Sequence, residues 1–404
     1  MARATGLSVW TDCVSTNLPH LTKPQATVLA LWSYGIAMTR SCGRGTVATF
    51  LALLLGRTRA SVEQRLYEWC VDAPTKAGRQ RTALDAAACF APLLRWVVRL
   101  WVGTQLALAI DATSLGSRFT VLTISVVYRG GGIPVAWAIV PGTQPVDWQP
   151  HWERLFGHTQ AAIPAHWTVL VLADRGLYAR WLFQAVVANG WHPFFRIKQG
   201  CTFRPAGEST FRRMPTLVGT VEQRWRGRGT AFATRGCQLD CTLVAWWGAG
   251  HAEPWFVLTD LDPAGCDAQW YGLRSWCEQG FKITKRGAWQ WQQTQMRDPA
   301  RAARLWLALA VATLWMTSVG SQQEDGPTVL TDDLPDLGGV LGPSGRRPRR
   351  IRLLRLGWLW VLVQAIQGQP LPLPQRLAPE PWPAIPIRLA EDHPQQRPFG
   401  YAFM

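Results

Sequence analysis

The residues best placed to do chemistry lie between Tyr271 and Lys285, in YGLRSWCEQGFKITK. Read as a helix, Arg274 and Glu278 are four apart and share a face, and Tyr271 and Lys285, seven residues to either side of the glutamate, return to it. Leu273, Trp276, Cys277 and Phe281 recur on the opposite stripe, so the spacing predicts one buried side and one side presented to a ligand. A single glutamate among basic neighbours is commonly no more than an ion-paired surface. Two further acids add to it. Asp111 stands near the end of LALAIDAT and Asp174 at the end of WTVLVLADRG, both runs that read as buried strands. Three carboxylates brought together from two strands and a helix present hard oxygen ligands suited to Mg2+ or Mn2+. Two such ions can activate an attacking oxygen and stabilise a leaving one.

The elements that must position these acids follow from the hydrophobic pattern. Three strand-like runs, QLALAIDAT, FTVLTISVVYR and GIPVAWAIVP, predict an antiparallel meander, with Gly130, Gly131 and Gly132 turning between the second and third. A helical stretch over 147–162, the strand ending at Asp174, a helix over 178–189 and the run HPFFRIKQ complete the order βββ-α-β-α-β, with acids on the first and fourth strands. Glu278 comes 104 positions after Asp174, and the interval holds short β-like runs, TLVGTVEQRW, CTLVAWWG and PWFVLTDL, which predict a β-rich insertion. Beyond Glu278, Asp298 and Pro299 start a long apolar helix. Its stretch from Leu305 to Gly320 is short for a bilayer span of about 20 residues and reads as core. Gly320 to Gly345 is polar and acidic and reads as a linker; Arg346, Arg347, Arg349 and Arg350 then lead into another apolar helix. From Gln369 the chain is Pro-rich and irregular.

Composition points to the partner. Forty-two Lys and Arg against 26 Asp and Glu give a net charge of +16, which favours a polyanion, nucleic acid before a membrane surface. The first hundred residues lack strand alternation and read as helical. Within them, Thr46 to Gly56 and Arg57 to Cys70 predict a helix-turn-helix, ended at Gly56 and capped again at Ser61. Arg59, Gln64 and Arg65 would then face outward near the start of the second helix, where a recognition helix touches bases or phosphates; a plain helical hairpin with a solvated basic face is the competing reading. Nine cysteines without a zinc-like pairing and no secretory leader predict buried free thiols in a reducing cytoplasm.

The spacing Tyr-x2-Arg-x3-Glu-x6-Lys, filled by Tyr271, Arg274, Glu278 and Lys285, resembles the YREK signature of the insertion sequence four family of DDE transposases. The element order resembles the ribonuclease-H-like core of that group. The resemblance covers residues 105–320 well and the amino-terminal part weakly. It implies an α/β fold in which a ribonuclease-H-like mixed sheet (101–199 and 266–320) is interrupted by a β-rich insertion (200–265), preceded by a helical DNA-binding domain (1–100) and followed by a linker, a basic and apolar helix and a Pro-rich tail (321–404). It implies cut-and-paste transposition: a water assisted by metal cuts one strand at the element end, and the freed 3′ hydroxyl attacks phosphate, giving a hairpin and later joining target DNA. Asp111, Asp174 and Glu278 would hold the metals, two Mg2+ or Mn2+ ions. Tyr271, Arg274 and Lys285 would grip phosphates, and Arg196 and Lys198 of FFRIK would lie along the DNA. By position in PWFVLTD, Trp255 would stack on an extruded base, although a Trp on a short strand is commonly core. The implied partners are double-stranded DNA, both inverted-repeat ends and target, and a second copy of the chain in a synaptic complex, with no membrane. A ribonuclease-H-like nuclease or resolvase, or a DNA-binding protein without catalysis, are the alternative readings.

Overall fold

Helix α8 (Pro299–Asp325) is apolar on every side, and a helix of that kind needs protein all round it. The computed structural model, which describes residues 2–77, 82–142, 147–276, 280, 284, 287–325 and 352–382, supplies three neighbours. On one side lies the sheet, where the Trp137 indole donates to the Ala303 carbonyl at 3.0 Å. On a second lie the amino-terminal helices α1 (Ala2–Asn17) and α2 (Lys23–Thr39), whose Trp10 stacks on Trp315 with ring centroids 4.2 Å apart. On the third lies α9 (Leu353–Ile366). The α8–α9 crossing depends on two glycines: a Cβ on Gly320 would meet the Leu353 carbonyl oxygen at 1.9 Å, and one on Gly357 would meet that of Met316 at 1.9 Å. Length and composition would let α8 span a membrane, but 94% of its most apolar window is buried in protein, as the core reading expects. The predicted linker start is corrected: Gly320 to Asp325 are still helical, and Glu324 and Asp325 ion-pair with the buried Arg129 at 3.0 and 2.7 Å.

Helices α3 (Arg44–Leu55) and α4 (Arg59–Cys70) form the expected hairpin, ended by Gly56 in the left-handed conformation. The cap of α4 is Thr58 rather than Ser61: its hydroxyl accepts from the Ser61 N–H, so the helix starts one residue after it. Arg304 of α8 holds this region to the core by donating to the carbonyls of Leu84 and Cys70 and to Asp72. Helix α5 (Phe90–Leu100) leads into the sheet.

Ten strands form one sheet in the order β3-β2-β1-β4-β5-β10-β9-β8-β6-β7. Strands β1 (Gln105–Leu115), β2 (Phe119–Tyr128) and β3 (Gly131–Pro141) are the antiparallel meander. Arg129 and Gly130 both have positive φ, as a two-residue hairpin turn twisted to match its strands requires, so the turn comes one residue earlier than the glycine run suggests. Helices α6 (Gln149–Thr159) and α7 (Arg180–Ala188) link β1 to β3 with β4 (Thr168–Ala173) and β5 (His192–Arg196), which run parallel to β1. The strands of the interval after 200, namely β6 (Thr202–Pro205), β7 (Arg212–Arg213), β8 (Arg224–Ala231), β9 (Leu239–Trp246) and β10 (Trp255–Thr259), continue the same sheet, joined through β10 antiparallel to β5. TLVGTVEQRW is not a strand over most of its length; the strand is RWRGRGTA, whose alternating arginines hid it.

Strand alternation divides the sheet into two faces. Leu106, Leu108, Ile110, Val169, Val171 and Ala173 pack into the large core with the helices, while Ala107, Ala109, Leu170, Leu172, Phe194, Val244 and Val257 belong to a smaller core on the other face. The Pro-rich tail is laid over the body as far as it is described. The Trp315 indole donates to the Pro372 carbonyl, Leu377 exchanges backbone hydrogen bonds with the Leu100 to Val102 segment, and Trp382 packs on Trp270.

Candidate active site

Register brings the two aspartates together. Parallel pairing of β1 with β4 runs from Gln105↔Thr168 to Ala109↔Leu172, and two residues further along the same register Asp111 comes opposite Asp174. The period of two puts both on the face of Ala109 and Leu172. Asp174 lies one residue beyond β4, as expected, whereas Asp111 is inside β1 and not near its end. The difference arises because β1 outruns β4: its antiparallel pairing with β2 continues to Leu115↔Phe119. Asp111 is buried and accepts from the Ala112 N–H with Oδ1, and Asp174 accepts from the N–H groups of Gly176 and Leu177 with Oδ1. In each, the other oxygen, Oδ2, is the one turned to Arg274.

Covering this face is a 3-10 helix, Ala268–Arg274, begun by Asp267, whose Oδ1 accepts from the Gln269 N–H at 2.8 Å. The sequence predicts an α-helix with Tyr271 and Arg274 on a ligand-facing side and Leu273 on a buried one. That division is corrected: Tyr271, Leu273 and Arg274 are all buried. In a 3-10 turn residues three apart eclipse one another, so Tyr271 and Arg274 fall in line and point inward at the strand ends. Arg274 Nη2 is 2.7 Å from Asp111 Oδ2 and 3.8 Å from Asp174 Oδ2. Because both distances end on one nitrogen, the two carboxylate oxygens are no further apart than the sum of the two. Burial pushes the Tyr271 hydroxyl up to about 12, against the opposing pull of Arg274 and Arg196, so it stays protonated at neutral pH. Glu278 and Lys285 lie outside the described residues.

The donor set suits a hard divalent cation. Both aspartates offer oxygen, the Asp174 side chain is 44% exposed and so reachable, and a positive group already lies between them. Among the described residues no group of three His, Cys, Asp or Glu could hold a metal; Asp111 and Asp174 form a pair of acids only.

The remaining candidates fall into two places. Trp255, at the start of β10, is half-buried and ringed by aromatics, with centroids 4.4 Å from His251, 5.2 Å from Tyr271 and 5.5 Å from Trp246. Arg196 lies over the Tyr271 ring and binds Glu253 Oε1 at 2.5 Å, while Arg175 holds the same carboxylate at 2.8 Å. Lys198, two residues past β5, is exposed. Sequence reasoning passes over Glu253 and Asp267; the only sign of either was an acid just before an apolar run. Arg59, Gln64 and Arg65 are all exposed on α4, away from this cluster in the chain's helical part; Arg59 pairs with Glu63 at 3.5 Å and Gln64 donates to Glu68 at 2.9 Å. All eight cysteines among the described residues are unbridged.

No curated protein matches the sequence significantly. A solved structure, the piggyBac transposase synaptic complex with hairpin DNA determined by cryo-EM, is similar over 52% of this chain and 48% of its own, at 10% identity and a TM-score of 0.31. The chain thus spans about half the length of that protein. The family described as "Transposase DDE domain" matches residues 106–315, just over half of the sequence, from the first paired residues of β1 to the middle of α8. By that match the chain belongs to the transposase DDE domain family.

Proposed function

We propose that the protein is a cut-and-paste DNA transposase of the insertion sequence four type, using Asp111, Asp174 and Glu278 to cleave transposon ends and to join the 3′ hydroxyl to target DNA through a hairpin. The observation that carries the reading is the Asp111–Arg274–Asp174 cluster, two acids from neighbouring parallel strands with one guanidinium between them. The strand order β3-β2-β1-β4-β5, with acids on β1 and just past β4, supports a ribonuclease-H-like core over 101–199 and 266–320. The inserted strands of 200–265 extend that core's sheet, and residues 1–100 carry the exposed basic hairpin expected of a DNA-binding part.

Mg2+ or Mn2+, held by the three acids, would supply the charge that assists in-line displacement at phosphorus. The chain's own residues do the rest. Arg274 has a planar fork matched both to carboxylate and to phosphate, so it can exchange Asp174, the more distant partner, for the DNA backbone at the cut. Tyr271, kept protonated, donates a hydrogen bond without adding negative charge beside the phosphate. Glu253 fixes Arg196 against Tyr271, and Lys198 and Lys285 add point charges along the strand. Trp255, packed against Tyr271 in the middle of this 3-10 helix, would receive the extruded base. A homodimer would hold two ends, in the cytoplasm.

The test is to incubate the purified chain with a duplex carrying the element's terminal inverted repeat and Mg2+, and to map the products. Nicks at the repeat boundary leaving 3′ hydroxyls, followed by hairpins, support the reading. Metal-dependent nicks scattered without regard to the repeat would point to a nuclease instead.

A further inference from the structure

From the acids outward, the sheet face can be followed across β1, β4, β5, β10, β9 and β8, one paired residue at a time. Asp111 on β1 and Asp174 after β4 are in register, and Arg196 of β5 follows them. Arg196 pairs with Val257 of β10, Val257 with Val244 of β9, and Val244 with Arg226 of β8. One step along, Trp255 pairs with Trp246 and Trp246 with Arg224. Arg224, Arg226 and Arg228 alternate along β8, so all three belong to this same face.

At the far end of the row a cleft of about 450 Å³ opens between β8, β9 and the start of the 3-10 helix, lined by Arg224, Arg226, Trp246, Cys266, Asp267 and Ala268 among others. Arg224 lies over the Trp246 ring at 5.5 Å and donates to Asp267 Oδ2 at 2.9 Å, with its side chain still 48% exposed. Arg226 is exposed and has no ion pair among the described residues. Arg224 is 48% exposed while its partner Asp267 is 12% exposed, so the guanidinium can stay fixed by Asp267 and still present its outer N–H groups to a phosphate. Asp267 also caps the helix that ends at Arg274, so the cleft and the acid cluster lie at opposite ends of one short rigid element.

We propose that this cleft is a second nucleic-acid subsite, in which Arg224 and Arg226 hold the phosphates of the strand leaving the acid centre. The inference rests on the proposed transposase reading and adds to it where the strand goes. Neighbouring strands are about 4.8 Å apart, so the five steps from β1 to β8 cover roughly 24 Å, along a path that curves with the sheet's twist. At about 3.4 Å per nucleotide of one strand, the contact falls about seven nucleotides from the scissile phosphate.

The experiment measures binding of end-containing duplexes by fluorescence anisotropy in EDTA, with the DNA on either side of the cut shortened stepwise. The probes are the wild-type chain, the Arg224→Ala/Arg226→Ala double variant and the single Arg226→Gln variant, which removes an exposed side chain without an ion pair and so leaves the fold intact. On long duplexes the double variant should lose about tenfold or more in affinity, and its salt slope should flatten by about 1.8, with about half that change for Arg226→Gln. On one side of the cut, shortening the DNA below about seven nucleotides should weaken the wild type to the level of the variants and abolish the difference. Variants that bind like the wild type at every length, or that lose affinity regardless of length, overturn the subsite while leaving the transposase reading in place. A wild-type chain that binds no such duplex removes both.

Discussion

Replacing Arg274 by alanine removes the one described cation between Asp111 and Asp174. At an effective dielectric constant near 20, a unit charge 2.7 Å from Asp111 gains about 6 kcal/mol and one 3.8 Å from Asp174 about 4 kcal/mol, gross values that desolvation of the buried guanidinium and Asp111 largely offsets. The loss on truncation is governed by what remains, two acids without their shared partner, one of them buried. Breaking a buried pair in this way costs about 3–5 kcal/mol. At about 2 °C per kcal/mol for a large unit, thermal melting without metal should fall by about 6–10 °C. A divalent cation can take the place of the lost charge, so saturating Mn2+ should raise the melting temperature of Arg274→Ala more than that of the wild type. Both chains are melted with EDTA and with excess Mn2+. An Arg274→Ala chain that melts like the wild type in EDTA, or that gains no more from Mn2+ than the wild type does, refutes the view that guanidinium and metal share the same carboxylates.

Gly357→Ala drives a Cβ to 1.9 Å from the Met316 carbonyl oxygen, so α9 must shift off α8; a loss of about 1–3 kcal/mol is expected in denaturant melts, and an unchanged midpoint would show that the crossing is looser than described. Burial pushes the thiols of Cys42, Cys70, Cys89 and Cys266 up to about 12, and Tyr271 with them, so above about pH 9 the unfolded chain gives up protons that the fold retains. Stability is therefore full below that pH and falls as pH rises towards 12, by up to about 1.4 kcal/mol per group and pH unit; equal denaturant midpoints at about pH 8 and about pH 10 would contradict it. Trp255→Ala should slow hairpin formation more than first-strand nicking if the indole receives a base, because stacking contributes about 1–3 kcal/mol per base. Equal loss of both steps with a much lower melting temperature would leave Trp255 as packing within its ring of His251, Trp246 and Tyr271.

Asp111 and Asp174 stood out in the sequence because each closes an apolar run, although only Asp174 lies at a strand end and Asp111 is inside β1. Their partnership was expected from the strand order and the family resemblance, whereas the contact that brings it about, the long-range register Gln105↔Thr168, is encoded by no local pattern. Likewise, spacing placed Tyr271 and Arg274 near the acids but assumed 3.6 residues per turn; the 3-10 geometry turned both inward. Strand β8 was misplaced because its exposed face is arginine and two of its other positions are glycine, leaving little apolar alternation to read. The apolar character of α8 was plain, but nothing in its own sequence names Trp10, Trp137 or Gly357 as the groups that surround it.

The most direct test of the account compares wild type, Asp111→Asn and Asp174→Asn on an end-containing duplex with Mg2+, scoring strand nicks and, in parallel, DNA binding. Both substitutions keep the side-chain volume and remove the charge that a divalent ion requires. Both variants should bind the duplex and neither should nick it. Nicking at the wild-type rate by either variant would contradict the assignment of these two carboxylates as the catalytic centre.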